Sequence, residues 1–118
     1  MNDCTESDIA SVATTLGSLD DAKALAREIL ERRLGACVQI EPRLTSIYRW
    51  KGKLCEDPEV RLVIKTLPGC VDALAALFTS HHPYELPQFL VSRHSAGQAY
   101  GDWVRSEVSL PSASLPPA

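Results

Sequence analysis

Apolar and polar residues follow two different spacings along this chain. Short runs that alternate, or that are mostly apolar, are typical of strands, whereas apolar residues three and four positions apart are typical of amphipathic helices. The first pattern predicts strands over residues 9–15, 36–40, 44–50, 60–66 and 88–92. The second predicts helices over residues 20–35, 71–80 and 97–108.

Turn residues separate these segments. Asp20 suits a helix N-terminus, where a carboxylate meets free amides, and Gly35 is a natural helix stop. Lys51 and Gly52 predict a two-residue hairpin turn. Residues 55–58 include two acidic residues and end at a proline, so they predict a loop before the next strand.

The order of the elements predicts the fold. It reads βα, then a hairpin of strands, then αβ and a final helix, which fits the α+β class and a ferredoxin-like split βαβ sandwich with an extended β-hairpin. With 118 residues the chain is long enough for one domain. We predict that domain over residues 9–108, with a disordered N-terminus at residues 1–8 and a disordered, proline-rich tail at residues 109–118.

Composition excludes several classes of function. The net charge is −3 and the basic residues are dispersed among acidic ones, so no nucleic-acid footprint is present. No apolar run approaches the roughly 20 residues that span a bilayer, so we expect no membrane insertion and a cytoplasmic protein. The four cysteines form no C-x-x-C pair, which predicts reduced thiols. No phosphate loop, nucleophile elbow or H-E-x-x-H motif occurs, so we predict that the protein is not an enzyme.

The densest chemistry lies in S-H-H-P-Y-E-L-P at residues 80–87. Neutral imidazole suits copper and zinc, so His81 and His82 are candidate metal ligands. Neighbouring side chains project in different directions, and Pro83 favours an extended His82, so the pair needs a further ligand from elsewhere. The alternative is that His82 hydrogen-bonds to backbone while His81 is exposed. His94, which stands alone, is interpreted as a surface residue.

Aromatic residues mark the tip of the predicted hairpin. An isolated two-stranded ribbon is marginally stable, so Tyr48 and Trp50 are interpreted as anchors of a subunit interface. The alternative is a cleft between subunits that binds a small anion or ion. Its lining would comprise Tyr48, Glu59, Lys65 and Tyr84.

Three stretches together resemble the CutA family of divalent-cation tolerance proteins. They are A-C-V-Q-I-E-P at residues 36–42, S-I-Y-R-W-K-G-K at residues 46–53 and the S-H-H-P-Y-E-L-P segment. Glu59 and the I-K-T of residues 64–66 also fit the family pattern. The resemblance implies a ferredoxin-like subunit in a tight homotrimer, with strands that continue across subunit boundaries and an architecture similar to PII signalling proteins. It also implies binding of copper and related divalent ions.

The resemblance further implies ligands that this chain lacks. A cysteine at the end of the first strand completes the copper site in family members, and Thr14 stands at that position; a second cysteine, before the histidines, is replaced by Leu77. A hydroxyl is a poor copper ligand, so we expect imidazole-based binding completed by water or a carboxylate. The leading hypothesis is a cytoplasmic homotrimer that binds Cu(II) or Zn(II) through His81 and His82 in metal tolerance or homeostasis. The rival is a PII-like regulatory or scaffold trimer that binds a small molecule or protein partner at its inter-subunit clefts.

Overall fold

The computed structural model describes residues 7–111, and the structural statements below concern that part of the chain. The disorder predicted for residues 1–6 and 112–118 lies outside the described residues, whereas residues 7 and 8 belong to the first strand. The elements are β1 (Ser7–Leu16), α1 (Leu19–Glu31), β2 (Cys37–Trp50), β3 (Lys53–Thr66), α2 (Val71–His81), β4 (Leu90–Ala96) and α3 (Gln98–Glu107), with a 3₁₀ turn at Pro68–Cys70 before α2.

The four strands form one antiparallel sheet in the order β2-β3-β1-β4. Alternate residues of β1, such as Val12 and Leu16, are fully buried against α1 and α2 on one face of the sheet. The intervening residues, such as Ser11 and Ala13, lie on the second face, which α1 and α2 do not cover. The arrangement confirms the predicted α+β, ferredoxin-like fold.

The core lies between the sheet and the first two helices. Leu25 and Ile29 of α1, Leu74 of α2, and Leu62 and Ile64 of β3 are each at most 3% exposed. Burying a side chain of this size stabilises the fold by roughly 1.5–3 kcal/mol. The core packing therefore holds β1 and α2 in place, and candidate ligands lie at the ends of these two elements.

The end of α1 differs from the prediction. Arg33, rather than Gly35, takes the left-handed conformation with φ 56°, and the amides of Arg33 and Leu34 bond back to carbonyls of the last helical turn. Gly35 is needed for a different reason, because a Cβ there would lie 2.9 Å from Ile64 Cγ2 and 3.0 Å from Ile29 Cγ2. Close packing against the sheet, and not helix termination, excludes a side chain at this position.

Strands β2 and β3 form one long hairpin. Lys51 (φ 51°) and Gly52 (φ 81°) both take positive φ, which is the type I′ geometry of two-residue hairpins, so the turn prediction is confirmed. The loop predicted over residues 55–58 is wrong, because these residues pair with β2 in the register that the turn sets. Pro58 is accommodated because β1 pairs with β3 only from Val60 onward, so β3 has a ladder on one side only at Pro58.

Strand β2 is also continuous where a break was predicted. The sequence indicated separate strands over residues 36–40 and 44–50, with Pro42 between them. The structure joins them through a register shift between Glu41 and Leu44. Because β2 is an edge strand, a bulge there accommodates a residue without an N–H.

The C-terminal elements bring a further correction. Strand β4 lies later than the predicted residues 88–92, so His94 belongs to the strand instead of following it. Helix α3 occupies the predicted region and buries Val104, but Tyr100 and Trp103 are 44% and 43% exposed. These two aromatic residues are therefore not part of the core of this chain.

Candidate functional site

The S-H-H-P-Y-E-L-P segment connects α2 to β4. Helix α2 ends at His81, and His82 is extended with φ −85° and ψ 131°. Pro83 disfavours the helical conformation in the residue before it, which explains why the chain leaves the helix at His82. His82 turns into the protein, whereas His81 stays exposed. The two adjacent imidazoles therefore occupy different environments.

His82 is held by three polar partners. The backbone N–H of Tyr84 donates to His82 Nδ1 at 3.1 Å, so Nδ1 is unprotonated and Nε2 carries the hydrogen. Nε2 lies 3.1 Å from the carbonyl oxygen of Thr15 and 3.0 Å from Thr14 Oγ1. Both ring nitrogens are thus occupied by groups of the protein. This is the alternative role foreseen for His82, that of a histidine hydrogen-bonded to backbone.

Burial and aromatic packing fix the same ring. His82 is 7% exposed, and its centroid lies 5.4 Å from that of Phe78 and 5.1 Å from that of Tyr84. Burial lowers the pKa of His82 below its ordinary 6.5, and this effect outweighs the opposing charges of Asp21 and Glu59. The imidazole is therefore neutral at neutral pH.

His81 has a more open environment. Its Nδ1 lies 2.7 Å from Ser80 Oγ, and within residues 7–111 no protein group is bonded to Nε2. The pKa of Glu28 is lowered mainly by its hydrogen bond to Arg32 and to a smaller degree by His81. The ring borders a groove of about 230 Å³ lined by Asp21, Ala24, Leu25, Glu28, His81 and Pro83.

These contacts decide how well a divalent ion fits. Within residues 7–111, no three or more His, Cys, Asp or Glu side chains have metal-ligand spacing. An ion reaches Nδ1 of His82 only if the Tyr84 N–H moves away, and Nε2 only if its hydrogen leaves. His81 offers a free nitrogen beside two carboxylates of the groove. The donors therefore suit an ion bound at His81 better than one shared by both histidines, and ligation by His82 stays a prediction.

Two short hydrogen bonds between phenols and carboxylates lie beside this segment. The Tyr84 hydroxyl donates to Glu59 Oε2 at 2.6 Å, and the Tyr48 hydroxyl donates to Asp57 Oδ2 at 2.6 Å. The bond to Asp57 raises the pKa of Tyr48 to about 12. Burial, followed by the bond to Glu59, raises the pKa of Tyr84. Both phenols are therefore donors that hold two carboxylates in place at physiological pH.

Lys65 lies apart from this cluster within one chain. It shares a face of β3 with Glu59, but the rise along a strand separates the two by about 20 Å. The ammonium that approaches the segment is that of Lys51, whose Nζ lies 3.9 Å from Glu85 Oε1 and 5.6 Å from the ring centroid of Trp50. The predicted cleft residues thus divide into two tyrosines near Glu59 and a distant lysine.

Comparison with known proteins identifies the family. The family described as CutA1 divalent ion tolerance protein matches residues 10–107, which is most of the chain. The chain belongs to the CutA1 family. Protein CutA of Homo sapiens is 43% identical over 95 residues, which are 80% of this chain and 53% of the human protein. The divalent-cation tolerance protein CutA of Escherichia coli is 36% identical over 111 residues, which are 92% of this chain and 99% of that protein. The chain spans about half the length of the mammalian relatives it matches.

Solved CutA1 structures share the fold. CutA1 from Oryza sativa superposes with a TM-score of 0.84 at 31% identity, covering 89% of this chain and 97% of that one. The Thermus thermophilus protein superposes with a TM-score of 0.82 at 36% identity, covering 86% and 99%. The CutA of Archaeoglobus fulgidus, at 25% identity and a TM-score of 0.82, is described as periplasmic. None of the helices within residues 7–111 has the length and apolar character to cross a membrane.

The contact between Thr14 and His82 bears on metal binding, because it lies where the resemblance to CutA proteins implies a metal ligand. Thr14 stands where the resemblance implies a cysteine ligand, and it is fully buried with Oγ1 at 3.0 Å from His82 Nε2. The end of β1 and the histidine segment therefore meet, as a shared ligand set would require. In this chain the groups that meet are the hydroxyl of Thr14 and the Nε2–H of His82. Leu77, at the second departure from the family pattern, is 3% exposed and belongs to the core.

Sequence reasoning missed Asp57 as the partner of Tyr48, because Asp57 was assigned to the loop predicted over residues 55–58. The two-residue turn carried the necessary signal. It sets a register that places Ser46 opposite Asp57 and Tyr48 opposite Cys55. Tyr48 and Asp57 are then diagonal neighbours on one face, within reach of a long side chain.

Proposed function

We propose that this chain binds divalent copper, or zinc in its place, and acts in divalent-metal tolerance or homeostasis in the cytoplasm. Family membership supports the class of function. The observation that carries the proposal at residue level is the exposed imidazole of His81 on a groove that also holds Asp21 and Glu28. The proposed role is binding and not catalysis.

The proposed ligand set differs from a clasp between adjacent histidines. His81 supplies an imidazole nitrogen, and water, with at most one carboxylate of the groove, completes the sphere. His82 keeps its internal hydrogen bonds and positions the segment. Without a thiolate, affinity comes from imidazole and oxygen donors alone, and we expect Cu(II) to bind more tightly than Zn(II) in accordance with the Irving–Williams order.

Calorimetric titration tests the proposal. Cu(II), and then Zn(II), is titrated into the reduced, metal-free and untagged protein, and we expect saturable binding in the wild type. His81→Ala should abolish it, whereas His82→Phe, which keeps a ring in the buried site, should retain it. His94→Ala is the matched control for loss of a histidine elsewhere. Unchanged affinity after replacing both His81 and His82 would refute a site in this segment.

A homotrimer is the proposed assembly. Several apolar side chains of the β2–β3 hairpin and of the S-H-H-P-Y-E-L-P segment are open to solvent in the single chain. They include Ile47 (64% exposed), Leu54 (71%) and Leu86 (70%). Such a concentration of exposed apolar surface is typical of a protein–protein interface. Trp50, 37% exposed on the same hairpin, is the proposed aromatic anchor.

Trp50→Ala should weaken that assembly. Truncating a central interface aromatic typically costs about 2 kcal/mol or more, so the variant should dissociate at a protein concentration at which the wild type stays assembled. Light scattering after size-exclusion chromatography over a dilution series measures this. Lys23→Ala, on the exposed face of α1, is the control. A variant that dissociates no earlier than the wild type would contradict the interface role.

A PII-like regulatory or scaffold trimer is the second candidate function. It is favoured by the two phenol–carboxylate pairs, which place donors and negative charge close to the hairpin. Glu59→Gln should alter capture of a small polar ligand in a thermal-shift screen while leaving Cu(II) affinity intact. A change in Cu(II) affinity with no change in the screen would instead assign Glu59 to metal binding.

A further inference from the structure

A row of polar side chains crosses the second face of the sheet, which α1 and α2 leave uncovered. It consists of Ser92 on β4, Ser11 on β1, Lys65 on β3 and Cys37 on β2, each directly opposite the next. Opposed residues of antiparallel strands share a face, with Cβ atoms about 5 Å apart. We propose that this row, centred on Lys65 and Ser11 and joined by His94, binds a small oxyanion of the phosphate type.

The ammonium of Lys65 is the first reason. It is partly buried, and within residues 7–111 no carboxylate pairs with it. Carboxylates elsewhere on this face are engaged: Glu41 Oε1 contacts Arg61 Nε at 2.9 Å, an ion pair without hydrogen-bond alignment, and Glu59 accepts from Tyr84. An unpaired charge that loses part of its hydration is unfavourable, so a bound anion would stabilise Lys65.

The pair formed by Ser11 and His94 is the second reason. Ser11 Oγ lies 2.8 Å from His94 Nε2, and Ser11 is 8% exposed, whereas His94 is exposed. When Nε2 carries the hydrogen and donates to Oγ, the hydroxyl hydrogen of Ser11 is free for another acceptor. Its neighbour across the strand pair is Lys65. Lys65 and Ser11 thus offer one cationic and one neutral donor on adjacent strands of the same face, a combination suited to a phosphate oxygen.

The row lies on a different face of the sheet from the residues around the candidate metal groove. Thr14 and His82 lie on the other face of the sheet, because Thr14 is an inward residue of β1. The row is thus separate from the groove at His81.

Thermal unfolding of the full chain in its native assembly tests the proposal, with inorganic phosphate as the probe. Sodium phosphate replaces sodium chloride at constant pH and ionic strength, and the midpoint is followed by circular dichroism. A ligand that binds the native state raises the midpoint with concentration. We expect this rise in the wild type, its loss in Lys65→Met and its retention in Lys65→Arg. Lys23→Met removes an exposed lysine of α1 and should respond as the wild type does.

Ser11→Ala tests the second donor. Loss of one hydrogen bond to the charged anion should weaken phosphate binding about tenfold or more, while the midpoint without phosphate reports whether the variant is folded. The proposal is overturned if phosphate stabilises the wild type no more than chloride does, or if Lys65→Met responds like the wild type. An unchanged response in Ser11→Ala would remove the serine and His94 from the site. Glycerol phosphate, run in parallel, assigns the site to a phosphomonoester if it binds more tightly and to free phosphate if it does not.

Discussion

Replacement of His82 by phenylalanine tests how much the hydrogen bonds of this buried ring contribute to stability. Phenylalanine keeps a ring between Phe78 and Tyr84 but removes the acceptor for the Tyr84 amide at 3.1 Å and the donor to the Thr15 carbonyl at 3.1 Å. Each group left without a partner costs about 1–3 kcal/mol, and the more apolar ring returns about 1 kcal/mol. We therefore expect the free energy of unfolding to fall by about 1–5 kcal/mol.

The same variant should change how stability depends on pH. The pKa of His82 is lowered in the folded protein, so below about pH 6.5 the unfolded chain binds a proton that the native protein does not. The contribution of the neutral ring is therefore complete above pH 6.5, and falls by at most about 1.4 kcal/mol per pH unit down to the folded pKa. Phenylalanine cannot titrate, so the variant should lose this part of the acid dependence.

Urea denaturation at a fixed protein concentration, at pH 7.5 and at intervals down to pH 5, measures both effects. Tyr84→Phe is the control, because it removes the bond to Glu59 and leaves the amide of residue 84 bonded to His82. The reasoning would be refuted if His82→Phe were as stable as the wild type at pH 7.5. It would also be refuted if wild type and variant lost stability in parallel between pH 6.5 and pH 5.

Three further predictions rest on separate contacts. Gly35→Ala should destabilise the fold by about 1–3 kcal/mol in urea denaturation, because its Cβ would lie 2.9 Å from a core methyl group; Gly97→Ala, with open space around its Cβ, should have a smaller effect, and equal effects would contradict the packing argument. Thr14→Cys should add a Cu(II) site with His82, distinct from the groove at His81 and at least about tenfold tighter in anaerobic calorimetry, because the thiol would lie beside His82 Nε2; unchanged stoichiometry and affinity would show that β1 contributes no ligand. Asp57→Asn should bring the pKa of Tyr48 from about 12 back toward 10.0 in a titration at 295 nm, since the bond to Asp57 is the main cause of the shift; a tyrosine titration identical to that of the wild type would contradict it.

Local chemistry was enough to predict the elements. The apolar spacing of α1 places Ala22 and Ile29 on one buried stripe. Lys51 and Gly52 form the predicted two-residue turn, in which both residues take positive φ. The order of elements then left the ferredoxin-like plan as the fitting arrangement. The family motifs identified the family for the same reason, since they are short and contiguous in the chain.

The predicted boundaries of the elements were wrong where pairing or packing with a strand distant in sequence exceeded a local preference. Pro42 has the character of a strand break and residues 55–58 have the composition of a loop, yet cross-strand pairing keeps both inside the long hairpin. Gly35 has the composition of a helix stop, yet the nearby methyl groups of Ile29 and Ile64 are what demand a glycine. Propensity is a weak preference that tertiary contacts can exceed.

The roles of the candidate site residues depended on the tertiary structure. Sequence placed His81 beside His82, but only the folding of β1 against the segment gives one ring three internal partners and leaves the other on an open groove. Sequence also grouped Lys65 with Glu59, whereas strand pairing places it opposite Ser11. Residue types and their spacing fix what a side chain can do chemically. Which nitrogen is free and which charge is unpaired depends on groups distant in sequence, and these meet only when the chain folds.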